Sequence, residues 1–119
     1  TQQQERVRTA YRSAEGLLSL LNDILDFSKL EAGKLVLEAR EFDLRELVEN
    51  LVMLFAPNCE QKGIALSCCV APGLPRHVGD PLRLQQVLGN LLGNAVKFTT
   101  HGEVTIEVIA GATPDELRI

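Results

Sequence analysis

The sequence predicts an α+β fold: a long bundle-forming helix, then a region in which helices and strands alternate. Three observations carry the prediction. Apolar residues between Gln3 and Ala32 recur at alternating steps of four and three, the spacing of a bundle seam. Beyond residue 42, two amphipathic helical patterns are interleaved with short runs of period two, the period of half-buried strands. One of those helices, opened by Asp80-Pro81, carries an apolar stripe and a separate polar one.

The first helix has its seam at Val7, Tyr11, Ala14, Leu18, Leu21, Leu25 and Ser28. A neighbouring row of Ala10, Leu17, Ile24 and Phe27 widens the apolar surface, so more than one packing partner is expected. No second helix in the chain matches it in length and pattern. Its partners are therefore expected upstream or on another subunit. Gly33, with Lys34 behind it, reads as the helix stop.

Leu35 to Phe42 alternates loosely and predicts an extended lead-in strand. Asp43 then starts a second helix, with Glu46 three residues on as a capping-box partner and Leu44, Leu47, Val48, Leu51, Leu54 and Phe55 as its apolar face. Pro57 is expected to kink or end it. Gly63 separates this helix from a strand at Ile64 to Val70. Pro72-Gly73-Leu74-Pro75 reads as a loop, leading through His77-Val78-Gly79 into the third helix. Thr100-His101-Gly102 is a turn, Glu103 to Ile109 a half-buried strand, residues 111–114 a further turn, and Leu117 to Ile119 the start of another strand.

Composition excludes several function classes. The 119 residues suit one ordinary domain or two pieces of a larger protein. A net charge of −4 offers no general attraction to nucleic acid or an acidic membrane surface. Four Phe, one Tyr and no Trp leave little surface for base stacking. No apolar run approaches the roughly 18 residues of a membrane span and no signal peptide opens the chain, so a soluble segment without direct membrane contact is expected. Cys59, Cys68 and Cys69 lack C-x-x-C metal spacing and read as small hydrophobes in a reducing compartment. Cys68 and Cys69 should point to opposite faces of their strand.

The third helix holds the candidate site. At about 100° per residue, Leu84, Val87, Leu88, Leu91, Ala95 and Phe98 form one stripe, and Arg83, Gln86, Asn90, Asn94 and Lys97 form another. Asparagine is a poor mid-helix residue because its side chain competes with the backbone for hydrogen bonds. Two of them at i and i+4, followed by Lys97, point to ligand binding. An amide oxygen is a hard neutral ligand for Mg²⁺, and lysine is a point charge for phosphate. Gly89 and Gly93 leave room beside the stripe for a loop or a nucleotide. The alternative is a buried helix whose asparagines bond neighbouring backbone.

Two stretches resemble a known family. Asn90-Leu91-Leu92-Gly93-Asn94-Ala95-Val96-Lys97-Phe98-Thr99 is similar to the N box of sensor histidine kinases. Leu21-Asn22-Asp23-Ile24-Leu25-Asp26-Phe27-Ser28-Lys29-Leu30-Glu31-Ala32-Gly33-Lys34-Leu35 resembles the second helix of the dimerisation and phosphotransfer domain of hybrid sensor kinases. The resemblance implies that residues 1–34 are that helix, 35–42 a linker or lead-in strand, and 43–119 the N-terminal part of an α/β-sandwich ATP-binding domain. It implies ATP and Mg²⁺ as cofactors, with Asn94 binding Mg²⁺ and Asn90, Asn94 and Lys97 facing the phosphates; Arg83 or Gln86 would assist. In the related ATPases of type II topoisomerases and heat-shock chaperones, a glutamate at the position of Asn90 activates water. Asn90 cannot, which suits transfer to a protein side chain better than hydrolysis.

The implied function is an ATP-dependent protein histidine kinase, hybrid and two-component, passing its phosphoryl group to a response-regulator receiver domain. The implied partners are a second copy in a homodimer, or another sensor kinase in a heterodimer. The implied location is the cytoplasmic portion of a protein anchored in the bacterial inner membrane. The family's His-Glu-Leu-Arg-Thr-Pro type motif, with the acceptor histidine, is absent, and neither His77 nor His101 has acceptor context. The Asp-x-Gly-x-Gly box that reads adenine, and the glycine-rich lid box, are also absent, so these residues alone are expected to bind nucleotide very weakly and to be inactive. The rival functions are a degenerate kinase module that dimerises with and regulates another kinase, and an ATP hydrolase of the same fold.

Overall fold

A computed structural model describes residues 1–113 and 116–119, which fall into two compact units, Thr1–Val36 and Leu37–Ile119. Among the described residues no helix is long and apolar enough to cross a membrane.

The first unit is dominated by α1 (Gln2–Glu31). Thr1 caps it: its hydroxyl accepts from the Gln4 amide at 3.2 Å while the Gln4 side chain reaches back to the terminal amine, a reciprocal capping box. At the far end Ala32 is the C-cap and Gly33 adopts φ +67°, the left-handed turn that glycine tolerates best. No residue of α1 is buried. Val7 is 68% exposed, Leu18 58% and Leu25 52%.

The second unit begins with β1 (Arg40–Phe42), followed by α2 (Leu44–Lys62), β2 (Ala65–Val70), β3 (His77–Gly79), α3 (Pro81–Phe98), β4 (Glu103–Ala110) and β5 (Leu117–Arg118). Its main sheet has the order β2-β4-β5, parallel between β2 and β4 and antiparallel between β4 and β5. In β4, Val104, Ile106 and Val108 are buried while Glu103, Thr105 and Glu107 are exposed, the expected alternation. Those three residues meet Leu44, Leu47, Val48 and Leu51 of α2 and Leu88, Leu92 and Val96 of α3 in one core. Helices on a mixed sheet are the α+β arrangement that the sequence predicts.

Several local expectations need correcting. The lead-in strand starts at Arg40 rather than Leu35, because only residues 40–42 find a partner. That partner is His77–Gly79, expected only as the lead into the third helix, which pairs as an antiparallel strand in the register Arg40 with Gly79, Glu41 with Val78 and Phe42 with His77. Pro57 does not end α2, which continues to Lys62 and closes on Gly63 at φ +69°. Proline loses one ladder bond, and the turn beyond it is anchored by the buried Cys59. The Asp43 carboxylate does cap α2, accepting from the amides of Arg45 and Glu46. Of the turn expected over residues 111–114, Pro114 lies outside the described residues.

Among the cysteines only Cys59 is buried, while Cys68 and Cys69 are exposed, against the small-hydrophobe expectation. The register pairs Cys68 with Ile106 on the core face and Cys69 with Glu107 on the open face, so the two thiols do point oppositely. Desolvation, then the Glu49 carboxylate, raises the Cys68 thiol above its usual pKa.

Leu51 is among the largest fully buried side chains and touches both helices' shared core. Leu51→Ala should cost about 2–5 kcal/mol of stability in a urea titration. A loss under about 1 kcal/mol would show that this core is loosely packed.

Candidate functional site

α3 is held at both ends. At its start one Asp80 oxygen accepts from the Arg83 amide at 3.1 Å, and Pro81 occupies the first turn, where its missing donor costs nothing. At its end the Lys62 ammonium, from α2, donates to the main-chain carbonyls of Val96 and Lys97, the latter at 3.1 Å. Those carbonyls lie at the negative end of the helix dipole, so a cation suits them.

The buried line of α3 is Pro81, Leu88, Leu92 and Val96. Of the apolar stripe expected from sequence, Leu88 lies in this line and Leu84 and Ala95 pack against the core, so the buried line is turned by only part of the helix circumference from that stripe. Val87, Leu91 and Phe98, counted in that stripe, are exposed, Leu91 at 62% and Phe98 at 75%. The rotation places the polar row opposite the core. Asn90, Asn94 and Lys97 are all exposed, and Arg83 and Gln86 are half-buried at the head of the row. The buried-helix alternative for the asparagines is therefore excluded.

Along the row Asn90 and Asn94 are about 6 Å apart in rise, and Lys97 follows about 4.5 Å on. The Arg83 guanidinium donates to Gln86 Oε1 at 3.0 Å, and the Lys97 ammonium stands 5.4 Å from the centre of the Phe98 ring. Gln86 and Asn90 rim a groove of about 420 Å³ floored by Leu51, Phe55 and Leu82. The two glycines face α2. A Cβ at Gly89 would lie 3.7 Å from Leu51, and one at Gly93 3.5 Å from Phe55, both ordinary van der Waals distances.

The row offers two amide oxygens and one ammonium, with no carboxylate among them. Among the described residues no three His, Cys, Asp or Glu side chains form a group that could hold a metal. A Mg²⁺ ion on this face would take a protein oxygen from an amide and complete its shell from phosphate and water, the usual pattern for that ion. Asn90 holds no group that can take a proton from water. His101 lies in an exposed turn, and His77 sits in β3 with Nδ1 buried and unbonded. Sequence reading missed Lys62: a basic residue in a last turn is a weak signal, and its contact is 34 residues away.

Comparison with known proteins supports the fold. The family model for the histidine kinase-, DNA gyrase B- and HSP90-like ATPases matches residues 79–119. Signal transduction histidine-protein kinase BarA of Escherichia coli K12 is 49% identical over 107 residues, covering 89% of this chain and 12% of that protein. The crystal structure of full-length ShkA in complex with AMPPNP superposes with a TM-score of 0.80 at 36% identity, over 94% of this chain and 24% of that one. Histidine kinase ThkA, solved in complex with response regulator protein TrrA, gives a TM-score of 0.63 at 32% identity, over 83% of this chain and 30% of that one. These matches support a segment of a sensor histidine kinase, of which the chain spans 12% of the curated relative and 24% and 30% of the two solved ones.

Proposed function

We propose that this chain serves as part of the catalytic core of an ATP-dependent protein histidine kinase of the hybrid, two-component type. The observation that carries the reading is the exposed row Asn90, Asn94 and Lys97 on the face of α3 opposite the core. Asn94 gives its carbonyl oxygen to Mg²⁺, and Asn90 and Lys97 contact the ATP phosphates. Mg²⁺ held there would supply neutralisation of phosphate charge, and the chain's own residues would orient the nucleotide and its γ-phosphoryl group. The acceptor is a histidine outside these residues, and the phosphoryl group then passes to an aspartate of a receiver domain. A positioned amide row without a base favours such transfer over hydrolysis.

Residues 1–34 act as the second helix of a dimerisation and phosphotransfer hairpin, 35–42 as the connection and 43–119 as the first part of the ATP-binding domain. The exposed seam of α1 supports a homodimer, or a heterodimer with a related kinase, built as a four-helix bundle. The protein works in the cytoplasm, tethered to the bacterial inner membrane by other parts of the polypeptide. The test uses the full-length kinase containing this segment. With the receiver-domain aspartate replaced, incubation with γ-labelled ATP and Mg²⁺ should label the protein through a phosphoramidate, stable in base and lost in acid. Label released only as free phosphate, or stable in acid, would overturn the reading.

A further inference from the structure

The three helices do not end alike. α1 and α2 run into glycines at positive φ, Gly33 and Gly63, and the left-handed turn brings the following amides back onto the last carbonyls. α3 instead runs into Thr99 at φ −91° and ψ 118°, an extended residue that does not fold the chain back. The Thr99 amide reaches the Ala95 carbonyl at 3.1 Å, and the carbonyls beyond Ala95 need partners from elsewhere. Lys62 supplies two: its ammonium, in the last turn of α2, donates to the carbonyls of Val96 and Lys97.

One of those carbonyls belongs to Lys97, which carries the ammonium of the polar row. At about 100° per residue Lys97 lies about 20° around the helix from Asn90, but only while its own turn is helical. The turns that carry Asn90 and Asn94 are fixed from the core by Leu88, Leu92 and Val96. Beyond Val96 the helix buries nothing, since Lys97 and Phe98 are both exposed. Among the contacts described for this last turn, the Lys62 ammonium is the tie that comes from another element. All of these residues belong to the Leu37–Ile119 unit.

We propose that Lys62 is a positioning residue for the nucleotide: by keeping the last turn of α3 helical, it holds the Lys97 ammonium in line with Asn90 and Asn94 to meet the phosphates. The proposal rests on the kinase reading given above, in which Lys97 contacts those phosphates. Lys62 acts through the Lys97 backbone and not on the nucleotide itself. A charged donor on two carbonyls at the negative end of a helix dipole is suited to this task.

The test uses Lys62→Met, Lys62→Arg, Lys97→Met and the double variant Lys62→Met/Lys97→Met in the full-length kinase. Methionine keeps an unbranched stem without the charge, and Lys62 is exposed, so no cavity opens. In Lys62→Met, amide hydrogen exchange at Phe98 and Thr99 should rise about tenfold, the weight of a bond to a charged donor. The amides of Gly63 and Ile64, which close α2, should not change. Lys97→Met should weaken ATP binding about tenfold and Lys62→Met about threefold, because an end turn that opens easily is then frayed in much of the population. The double variant should bind ATP no more weakly than Lys97→Met, because the two changes act through one group. Lys62→Arg keeps charged donors and should match wild type, and adenosine, which has no phosphate, should bind every variant alike. The proposal is overturned if Lys62→Met binds ATP like wild type, weakens adenosine binding too, or weakens ATP binding again by the same factor in the double variant. If Lys97→Met itself binds ATP as wild type does, the phosphate assignment falls and takes the proposal with it. A loss of ATP affinity in Lys97→Met but not in Lys62→Met sinks the proposal alone.

Discussion

Asn94→Ala in the full-length kinase is expected to abolish phosphoryl transfer while leaving the protein folded. Asn94 is exposed on the side of α3 away from Leu88, Leu92 and Val96, so removing its amide opens no cavity. Alanine is also the better residue in a helix interior, by a few tenths of a kcal/mol, because it has no side chain to compete for backbone bonds. Chemistry is where the loss falls. A fixed donor or ligand aimed at developing phosphate charge is worth about 10²–10³ in rate when removed. Asn94→Asp keeps an oxygen at the same place but adds a negative charge beside the phosphates, and should fail as well. Incorporation of label from γ-labelled ATP, alongside helix content by circular dichroism, checks both variants. Near-normal labelling of Asn94→Ala would sink the Mg²⁺ assignment.

The second large effect is on assembly. Leu18→Glu combined with Leu25→Glu should convert an associating protein into a monomer whose Leu37–Ile119 unit still folds. Both leucines are more than half exposed on α1, and Val7, Tyr11 and Leu21 lie exposed along the same seam. Burying a leucine contributes roughly 1.5–3 kcal/mol, so a seam of this length favours association strongly. Two glutamates in that seam would each have to be desolvated without a partner. The core of the second unit draws no residue from α1, so its folding should survive. Light scattering decides between the outcomes. A wild-type monomer at high concentration, or a double mutant that remains dimeric, would remove α1 from the interface.

What the sequence by itself determined is local chemistry. Asp80-Pro81 marks the start of α3 because a capping carboxylate accepts from a first-turn amide and a proline there leaves no amide unpaired, wherever the pair occurs. Asp43 and Gly63 bound α2 for the same kind of reason. The period-two run of β4 and the heptad of α1 named their elements, and the Asn90, Asn94 and Lys97 spacing placed three polar groups on one helix face. Tertiary structure decided everything that depends on a partner distant in sequence. Which side of α3 is buried follows from where α2 and β4 lie: Leu88 stays in the core with Leu84 and Ala95 packed against it, while Leu92 and Val96 take the place of Val87, Leu91 and Phe98. Gly89 and Gly93 face Leu51 and Phe55 for that reason. The short pairing of Arg40–Phe42 with His77–Gly79 is likewise invisible in either segment, because three residues make a strand only when a ladder is offered. Lys62 on the end of α3 and Glu38 on Asp80 join residues 34 and 42 positions apart, a separation over which no local pattern can report a contact.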